Sequence, residues 1–247
     1  MRIQSVYVSL GMTIAASAQN QMEWPFVTVP AFEAQATLAR QQSGASTIGL
    51  SHVVRPEQVS EWNNWTVVHQ TAWLSESYVY QGKDTSTLDP IVGHIWGDWL
   101  DPSPLRQPYG DYNFFLPLWQ SSPAVTGSIA STNMDSLHLD GFPTDFERMM
   151  EMDGPMMGAA WNLDNSPRSG GDWGEDWPLS FVTVPIYNQV RRDRGTVELA
   201  AVMTSSLPWH NFFLHLLPDG IDELTLMISS TDEACDETLS YLSLIHI

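Results

Sequence analysis

The spacing of apolar residues predicts helices in the first part of the chain. Between residues 30 and 44, Phe32, Ala36 and Ala39 recur on one helical face, and Gly44 is suited to end the helix. A second helix is predicted over residues 56–80, where Pro56 suits the first turn. That helix carries a broad apolar and aromatic stripe, a pattern more typical of core than of a ligand platform. The stripe comprises Val59, Trp62, Thr66, Trp73 and Tyr80.

A third helix is predicted after Phe142, and the Gly154-Pro155 pair is predicted to stop it. Thr144 with Glu147 three residues later has the spacing of a capping box, which predicts that Thr144 caps this helix. A further short helix is predicted over residues 208–218.

Alternating and β-branched segments predict strands between these helices. Those after residue 178 give a hairpin, a short helix and a last strand. The pattern therefore predicts an α+β fold, in which an antiparallel sheet is flanked by helices. A division into two subdomains is expected near residues 124–138. The predicted strands cover residues 46–54, 91–96, 114–119, 178–188, 196–207 and 222–231.

The pentapeptide FVTVP occurs twice, at residues 26–30 and 181–185. The first copy leads into a predicted helix and the second lies in a predicted strand. Nothing beyond the pentapeptide aligns, so the chain is not predicted to be a repeat protein.

The two ends of the chain each allow two interpretations. Residues 1–23 place apolar side chains at helical spacing, as in a stalk helix, and also contain Ala16-Ser17-Ala18, a small-x-small pattern typical of a signal-like segment. Residues 242–247 read as the translation of a sequencing-adapter end, so we interpret them as a scar. The alternative is a genuine apolar strand end. Residues 24–241 are then the domain proper.

The composition limits the partners of this chain. Of 247 residues, 29 are acidic and 10 are Lys or Arg, which gives a formal net charge of −19. Such a surface repels phosphate backbones, so nucleic acid is not expected as a partner. Cys235 is the single cysteine and excludes an intrachain disulfide. Asn64 begins an N-glycosylation sequon, Asn-Trp-Thr.

The residue spacings do not predict a catalytic or metal centre. The sequence has no Gly-rich phosphate loop, no G-x-S-x-G and no H-E-x-x-H. His210 and His215 are five residues apart, which puts them on different faces of a helix. His138 lies near Asp135 and Asp140, a setting more typical of a hydrogen-bonded surface histidine than of a metal ligand. We expect no catalytic residue, no bound metal and no cofactor.

One acidic loop suggests a different class of function. Asp172, Glu175 and Asp176 lie among Trp173 and Trp177, and carboxylates beside tryptophans are typical of a glycoside-binding cleft. These residues therefore suggest a secreted carbohydrate-active enzyme or carbohydrate-binding module. A solvated loop with anchoring tryptophans explains the same residues. An adhesion or scaffolding module is a third possibility.

Several segments resemble the extracellular sensory region of microalgal receptor-type guanylate or adenylate cyclases. In order and spacing they span most of the chain, although they consist of structural aromatics and prolines rather than reactive groups. The segments are WPFVTVPAFEAQATLARQQSGA (24–45), EWNNWTVVHQTAWLSES (61–77), FFLPLWQSSP (114–123), LSFVTVPIYN (179–188), LPWHNFFLHLLPDGIDELTLMI (207–228) and CDETLSY (235–241).

The resemblance implies a sensor of the PAS, Cache or CHASE type, in which an antiparallel sheet holds a small ligand against flanking helices. It implies a position on the extracellular face of a membrane, to which membrane helices outside this sequence would attach it. The family's cyclase would also lie outside this sequence, so the chain itself is not expected to be an enzyme. A homodimer is expected. An aromatic-lined pocket beside the sheet is predicted to bind the ligand through Trp119, Trp161, Tyr187 and Trp209.

Overall fold

A five-stranded antiparallel sheet organises the chain. The computed structural model describes residues 2–18, 24–88, 91–98, 100–125, 131–139, 141–161, 179–188, 198–209, 223–229 and 240–246. The helices are α1 (Arg2–Ala18), α2 (Phe32–Ser43), α3 (Val59–Tyr80) and α4 (Phe142–Met152). The strands are β1 (Thr47–His52), β2 (Leu118–Ser122), β3 (Met156–Trp161), β4 (Leu179–Tyr187), β5 (Leu199–Pro208), β6 (Glu223–Ser229) and β7 (Ser240–His246).

The sheet has the strand order β2-β1-β5-β4-β3, with every neighbouring pair antiparallel. Strand β5 lies at the centre, where Met203 is opposite Leu50 of β1 and Val184 of β4. Strands β6 and β7 form a separate two-stranded antiparallel pair. The prediction of an α+β fold with flanking helices is confirmed.

Helices α1 and α2 cover one face of the sheet. Tyr7, Leu10 and Ile14 of α1 are buried with Phe32 of α2 against apolar side chains of β1, β4 and β5. The hydroxyl of Tyr7 donates to Ser43 Oγ at 2.9 Å and lies 2.8 Å from Ser205 Oγ. Burial raises the pKa of Tyr7, so its hydroxyl keeps its proton and fastens α1 to α2 and β5.

Helix α4 covers the opposite face of the sheet. Phe142, Phe146 and Met149 pack with Met156 of β3 and Val202 of β5. Val202 lies between Ala201 and Met203, which belong to the layer under α1 and α2. Because successive strand residues point to opposite faces, this alternation gives β5 two buried faces.

A third cluster is aromatic and lies between α3 and the chain that leads into β2. Residues 91–96 contribute Ile91 and Ile95, and Phe115 and Trp119 come from the segment around the start of β2. Trp62 and Trp73 of α3 complete the aromatic part of this cluster. Of the stripe predicted on residues 56–80, Trp62, Thr66 and Trp73 are buried, as expected, whereas Tyr80 is 52 % exposed.

A buried glutamate of α2, which is paired with Arg40 of the same helix, joins α2 to the sheet edge through hydrogen bonds. Glu33 is 1 % exposed, and its Oε1 accepts from Ser122 Oγ at 2.9 Å while its Oε2 accepts from the Ala124 N–H at 3.0 Å. Arg40 Nη2 lies 3.6 Å from Glu33 Oε1 and donates to Thr37 Oγ1. These hydrogen bonds offset the cost of burying the Glu33 charge.

Three local predictions were wrong. Residues 91–96 do not form a strand; instead, the Trp96 N–H donates to Asn133 O at 3.1 Å, and Trp96 O accepts from the Asp135 N–H at 2.7 Å. The predicted strand at 114–119 lies further along, as β2. Thr144 is not the helix cap, because α4 begins at Phe142 after Gly141, whose φ of 71° favours glycine.

Strand β3 was not predicted. The sequence of β3, MMGAAW, is rich in residues with little intrinsic β preference.

Some predictions cannot be compared with the structure. The predicted helix over 208–218 lies almost wholly outside the described residues. Strand β7 spans the residues interpreted as a scar. That interpretation and the alternatives for residues 1–23, of which 2–18 form α1, stay predictions.

The contact between α4 and β3 allows no side chain at Gly158. A Cβ built on Gly158 would lie 1.8 Å from Asp145 Oδ2, and Asp145 is 2 % exposed. We expect Gly158→Ala to lower the free energy of unfolding by about 1–3 kcal/mol because α4 must shift. Gly154→Ala is the control, since its Cβ meets only Met152 O at 3.7 Å. Urea denaturation measures both; an equal effect of the two would contradict the close approach.

The buried glutamate that joins α2 to the sheet edge gives a second prediction. In Glu33→Gln the charge is lost, and an amide nitrogen in place of Oε2 cannot accept from the Ala124 N–H. We expect a loss of about 3 kcal/mol in the free energy of unfolding. The control Glu57→Gln removes the same charge from an exposed position. Chemical denaturation compares the two variants, and similar midpoints would contradict the argument.

Candidate functional site

A cleft of about 530 Å³ opens beside the first turn of α4. Described residues from three parts of the chain form its walls, namely 97–98 with 101–105, Tyr109, and 137–139 with 141–144. Its volume is within the range of roughly 300–1,000 Å³ that is usual for small-molecule sites. The polar side chains along the lining are those of Asp98, Asp101, Ser103, Tyr109, His138 and Thr144.

A buried carboxylate lies beneath this cleft. Asp135 is fully buried and caps the short 3₁₀ turn Ser136–His138. Its Oδ1 accepts from the Leu116 N–H at 2.9 Å and from the Leu137 N–H at 3.2 Å. Its Oδ2 accepts no hydrogen bond in the described part of the structure. The imidazole of His138 lies beside this oxygen, with Nδ1 at 3.3 Å.

His138 connects the buried carboxylate to the cleft. Its side chain is 24 % exposed and lines the cleft, whereas its Nδ1 is buried on the side of Asp135. His138 Nδ1 and Asp135 Oδ2 are within ion-pair distance but make no hydrogen bond in the described part of the structure.

Two neighbours fix the position of the His138 ring. A Cβ on Gly97 would lie 2.8 Å from the His138 Cγ, so only glycine allows the ring this close. The ring of Tyr109 makes an edge contact with the imidazole, with centroids 5.2 Å apart. The imidazole is therefore held before any ligand arrives.

Two aspartates form the rim of the cleft. Asp98 Oδ1 accepts from the Leu100 N–H at 2.9 Å, and Asp101 Oδ1 accepts from both the N–H and the Oγ of Ser103. Each carboxylate therefore uses one oxygen to hold the loop. The second oxygen of each has no protein partner in the described ranges. Among the described residues that line the cleft there is no lysine or arginine.

Trp119, a predicted ligand-binding residue, lies in the aromatic cluster instead. It is fully buried, its Nε1 donates to Thr28 Oγ1 at 3.1 Å, and its ring contacts Trp62, Trp65 and Trp73. The ring centroids of these pairs are 4.7–5.8 Å apart. Trp119 does not line the cleft.

The same aromatic region holds a buried histidine, His52. Its Nδ1 lies 2.6 Å from Pro25 O, and its Nε2 has no hydrogen-bond partner. The rings of Trp24 and Trp62 lie 5.1 and 5.4 Å from the imidazole. Burial lowers the pKa of His52 to about 4, although the hydrogen bond to Pro25 opposes this shift.

The other predicted ligand-binding residues lie at separate places. Tyr187, at the end of β4, donates its hydroxyl to Asp153, and burial together with that carboxylate raises the pKa of Tyr187 to about 12. Trp209 donates from Nε1 to Ser180 Oγ at 3.0 Å. Trp161 lies in β3, and its side chain is outside the described part. Neither Tyr187 nor Trp209 lines the cleft, and their binding of a ligand stays a prediction.

The remaining candidates are partly described. Asn64 is exposed on α3, while Thr66 of the same sequon is buried and donates to Asn63 O. The acidic loop with Asp172, Glu175 and Asp176 lies outside the described residues, as do His210, His215 and Cys235. Within the described ranges, no three His, Cys, Asp or Glu side chains are grouped to hold a metal ion.

The sequence does not predict the cleft, but it shows one local pair. Asp135 and His138 are close in the sequence, and their i, i+3 spacing is the signal that could have paired them on one turn. Nothing in the sequence shows that Gly97, 41 positions before His138, contacts the imidazole ring. Likewise, the rim aspartates belong to a Pro-rich loop with no periodicity.

Comparisons with known proteins do not add a family. No protein-family model matches the chain, and no curated protein matches it.

Of the helices in the described ranges, none combines the length and apolar character that a membrane crossing requires.

His52 predicts a pH dependence of stability. The unfolded chain takes up a proton on this residue below about pH 6.5, whereas the folded chain resists protonation down to about pH 4. Stability present above pH 6.5 is therefore lost progressively as the pH falls towards 4, by about 3 kcal/mol in total.

His52→Gln removes this titration and keeps an N–H donor for Pro25 O. We expect the stability of the variant to fall less steeply than that of the wild type between pH 6.5 and 4. Urea unfolding across this range gives both curves, and their difference isolates His52 because all other groups are shared. Parallel curves would show that His52 is not held neutral.

Proposed function

We propose that this chain is an extracellular sensor domain that binds a small ligand in the cleft beside α4. The observation that carries the proposal is a cleft of suitable volume with a few convergent polar groups on leucine and proline walls. Of these groups, His138 is confined by the close approach of Gly97 and lies 3.3 Å from Asp135. A pre-positioned side chain in a cleft favours binding because little ordering is required.

The fold supports the same proposal. A helix-flanked antiparallel sheet is what the resemblance to receptor-type nucleotide cyclases implies, and the chain has such a sheet. On this proposal the domain lies on the extracellular face of a membrane and belongs to a receptor cyclase whose other parts lie outside this sequence. It acts as a homodimer, and the chain itself is not catalytic.

Ligand binding would be transmitted through α4. Thr144 lines the cleft, and two residues later Phe146 is packed in the core between α4 and the sheet. Strand β4 contacts α4 on one face and α1 on the other. A ligand that favours one position of α4 therefore biases the packing of α1.

The carbohydrate-active alternative depends on the acidic loop at residues 172–176, which lies outside the described residues. No contact of the described residues favours it over ligand sensing.

Filling the cleft tests the proposal. Thr144→Phe places a ring in the cleft, and Thr144→Val, of nearly the same volume as threonine, is the control. The wild type is screened by thermal shift against a library of small amines, amino acids, organic acids and sugars. A ligand present at a hundred times its Kd stabilises the fold by about 2.7 kcal/mol, which gives a clear rise in Tm.

We expect at least one compound to raise the Tm of the wild type and of Thr144→Val but not that of Thr144→Phe. If every compound leaves the wild type unchanged, or if Thr144→Phe responds like the wild type, the cleft is not a ligand site.

A further inference from the structure

We infer that the cleft binds an organic cation, namely an amine that carries a short apolar group. This inference rests on the proposed function and adds the chemical class of the ligand. It depends on the charges of the lining, on the buried carboxylate below the cleft, on the start of α4 and on the apolar wall.

Two of the polar groups of the cleft are carboxylates. Asp98 and Asp101 each use one oxygen to hold the loop, and the second oxygen of each has no protein partner in the described ranges. A protonated amine supplies N–H donors and a positive charge to these two carboxylates. An anion would meet two carboxylates in a chain with a net charge of −19 and no lysine or arginine among the described lining residues.

The buried carboxylate of Asp135 adds to this preference. It is fully buried, its Oδ2 accepts no hydrogen bond, and His138, which lines the cleft, lies 3.3 Å from that oxygen. A charge in such an environment is poorly screened, so its field extends into the adjacent cleft. That field attracts a cation.

The start of α4 does not offset these charges. A helix N-terminus can bind an anion through its free N–H groups. Here the Phe142 N–H donates to Leu139 O, Pro143 has no N–H, and the Asp145 N–H donates to Gly141 O. The carboxylate of Asp145 also lies in the first turn, where its negative charge offsets the positive end of the helix dipole. This helix start is therefore a poor anion site.

The walls fit an apolar group beside the amine. Leu105 and Leu139 line the cleft with two prolines, and the ring of Tyr109 is 40 % exposed. An aromatic face attracts an ammonium group as well as an apolar surface. Leucine and proline side chains favour a ligand whose remaining part is hydrocarbon.

Three probes of matched shape test the charge preference. Phenethylamine is a cation, phenethyl alcohol is neutral and phenylacetate is an anion, and all three carry the same ring. Titration calorimetry with the full chain measures each Kd. We expect phenethylamine to bind at least about tenfold more tightly than the alcohol, with no measurable binding of phenylacetate.

Variants on the rim assign the binding to the cleft. Asp98→Asn with Asp101→Asn is expected to weaken phenethylamine about tenfold or more. The control pair Glu57→Gln with Glu76→Gln removes the same charge from exposed positions outside the lining and is expected to leave Kd within twofold. Both variants change exposed or half-exposed side chains, and circular dichroism confirms that each is folded.

Each other outcome overturns the inference. Equal or tighter binding of the alcohol or of phenylacetate, no binding by any probe, or equal losses in both variant pairs would exclude an amine-specific cleft. The proposed function fails separately. If a library compound of another class binds and Thr144→Phe abolishes its binding, the sensor proposal stands without the amine. If no compound of any class binds, both fall.

Discussion

The burial of both faces of β5 is the constraint on which the rest of the structure depends. Ala201 and Met203 point into the layer under α1 and α2, and Val202 points into the layer under α4. A central strand that is apolar on both sides requires a cover on each side. Helices α1 and α2 provide one cover, while α4 with Leu116 and Leu137 provides the other. The cleft lies at the start of α4, where the second cover ends.

Much of this architecture follows from local patterns. Residues that form α2, α3 and α4 have helical spacing, and β4 and β5 are long, β-branched segments, so both kinds of element could be predicted. Strand β3 could not, because Met, Ala and Gly have no strong preference for a strand and pairing with β4 decides their conformation. The strand predicted at residues 91–96 was wrong for the opposite reason. These residues are apolar enough for a strand, but the backbone of Trp96 is hydrogen-bonded to loop residues Asn133 and Asp135.

The candidate site was less predictable because its parts come from distant segments. The sequence analysis predicted tryptophans as ligand-binding residues, yet Trp119 is buried among other indoles and does not line the cleft. The cleft is instead built from residues common in loops, such as Asp98 and Ser103, and their use of one carboxylate oxygen for the loop itself depends on backbone geometry. Only Asp135 and His138, three residues apart, left a local signal.

The way α1 is attached limits how a ligand could act on it. The Tyr7 hydroxyl is buried between Ser43 of α2 and Ser205 of β5, so sliding α1 alone would leave this hydroxyl without partners, at a cost of about 1–3 kcal/mol. Gly11 also packs closely on Val184 of β4. Helix α1 therefore moves most easily together with α2 and the sheet. On the proposed function, a signal that leaves the cleft through α4 would have to change how this whole layer packs.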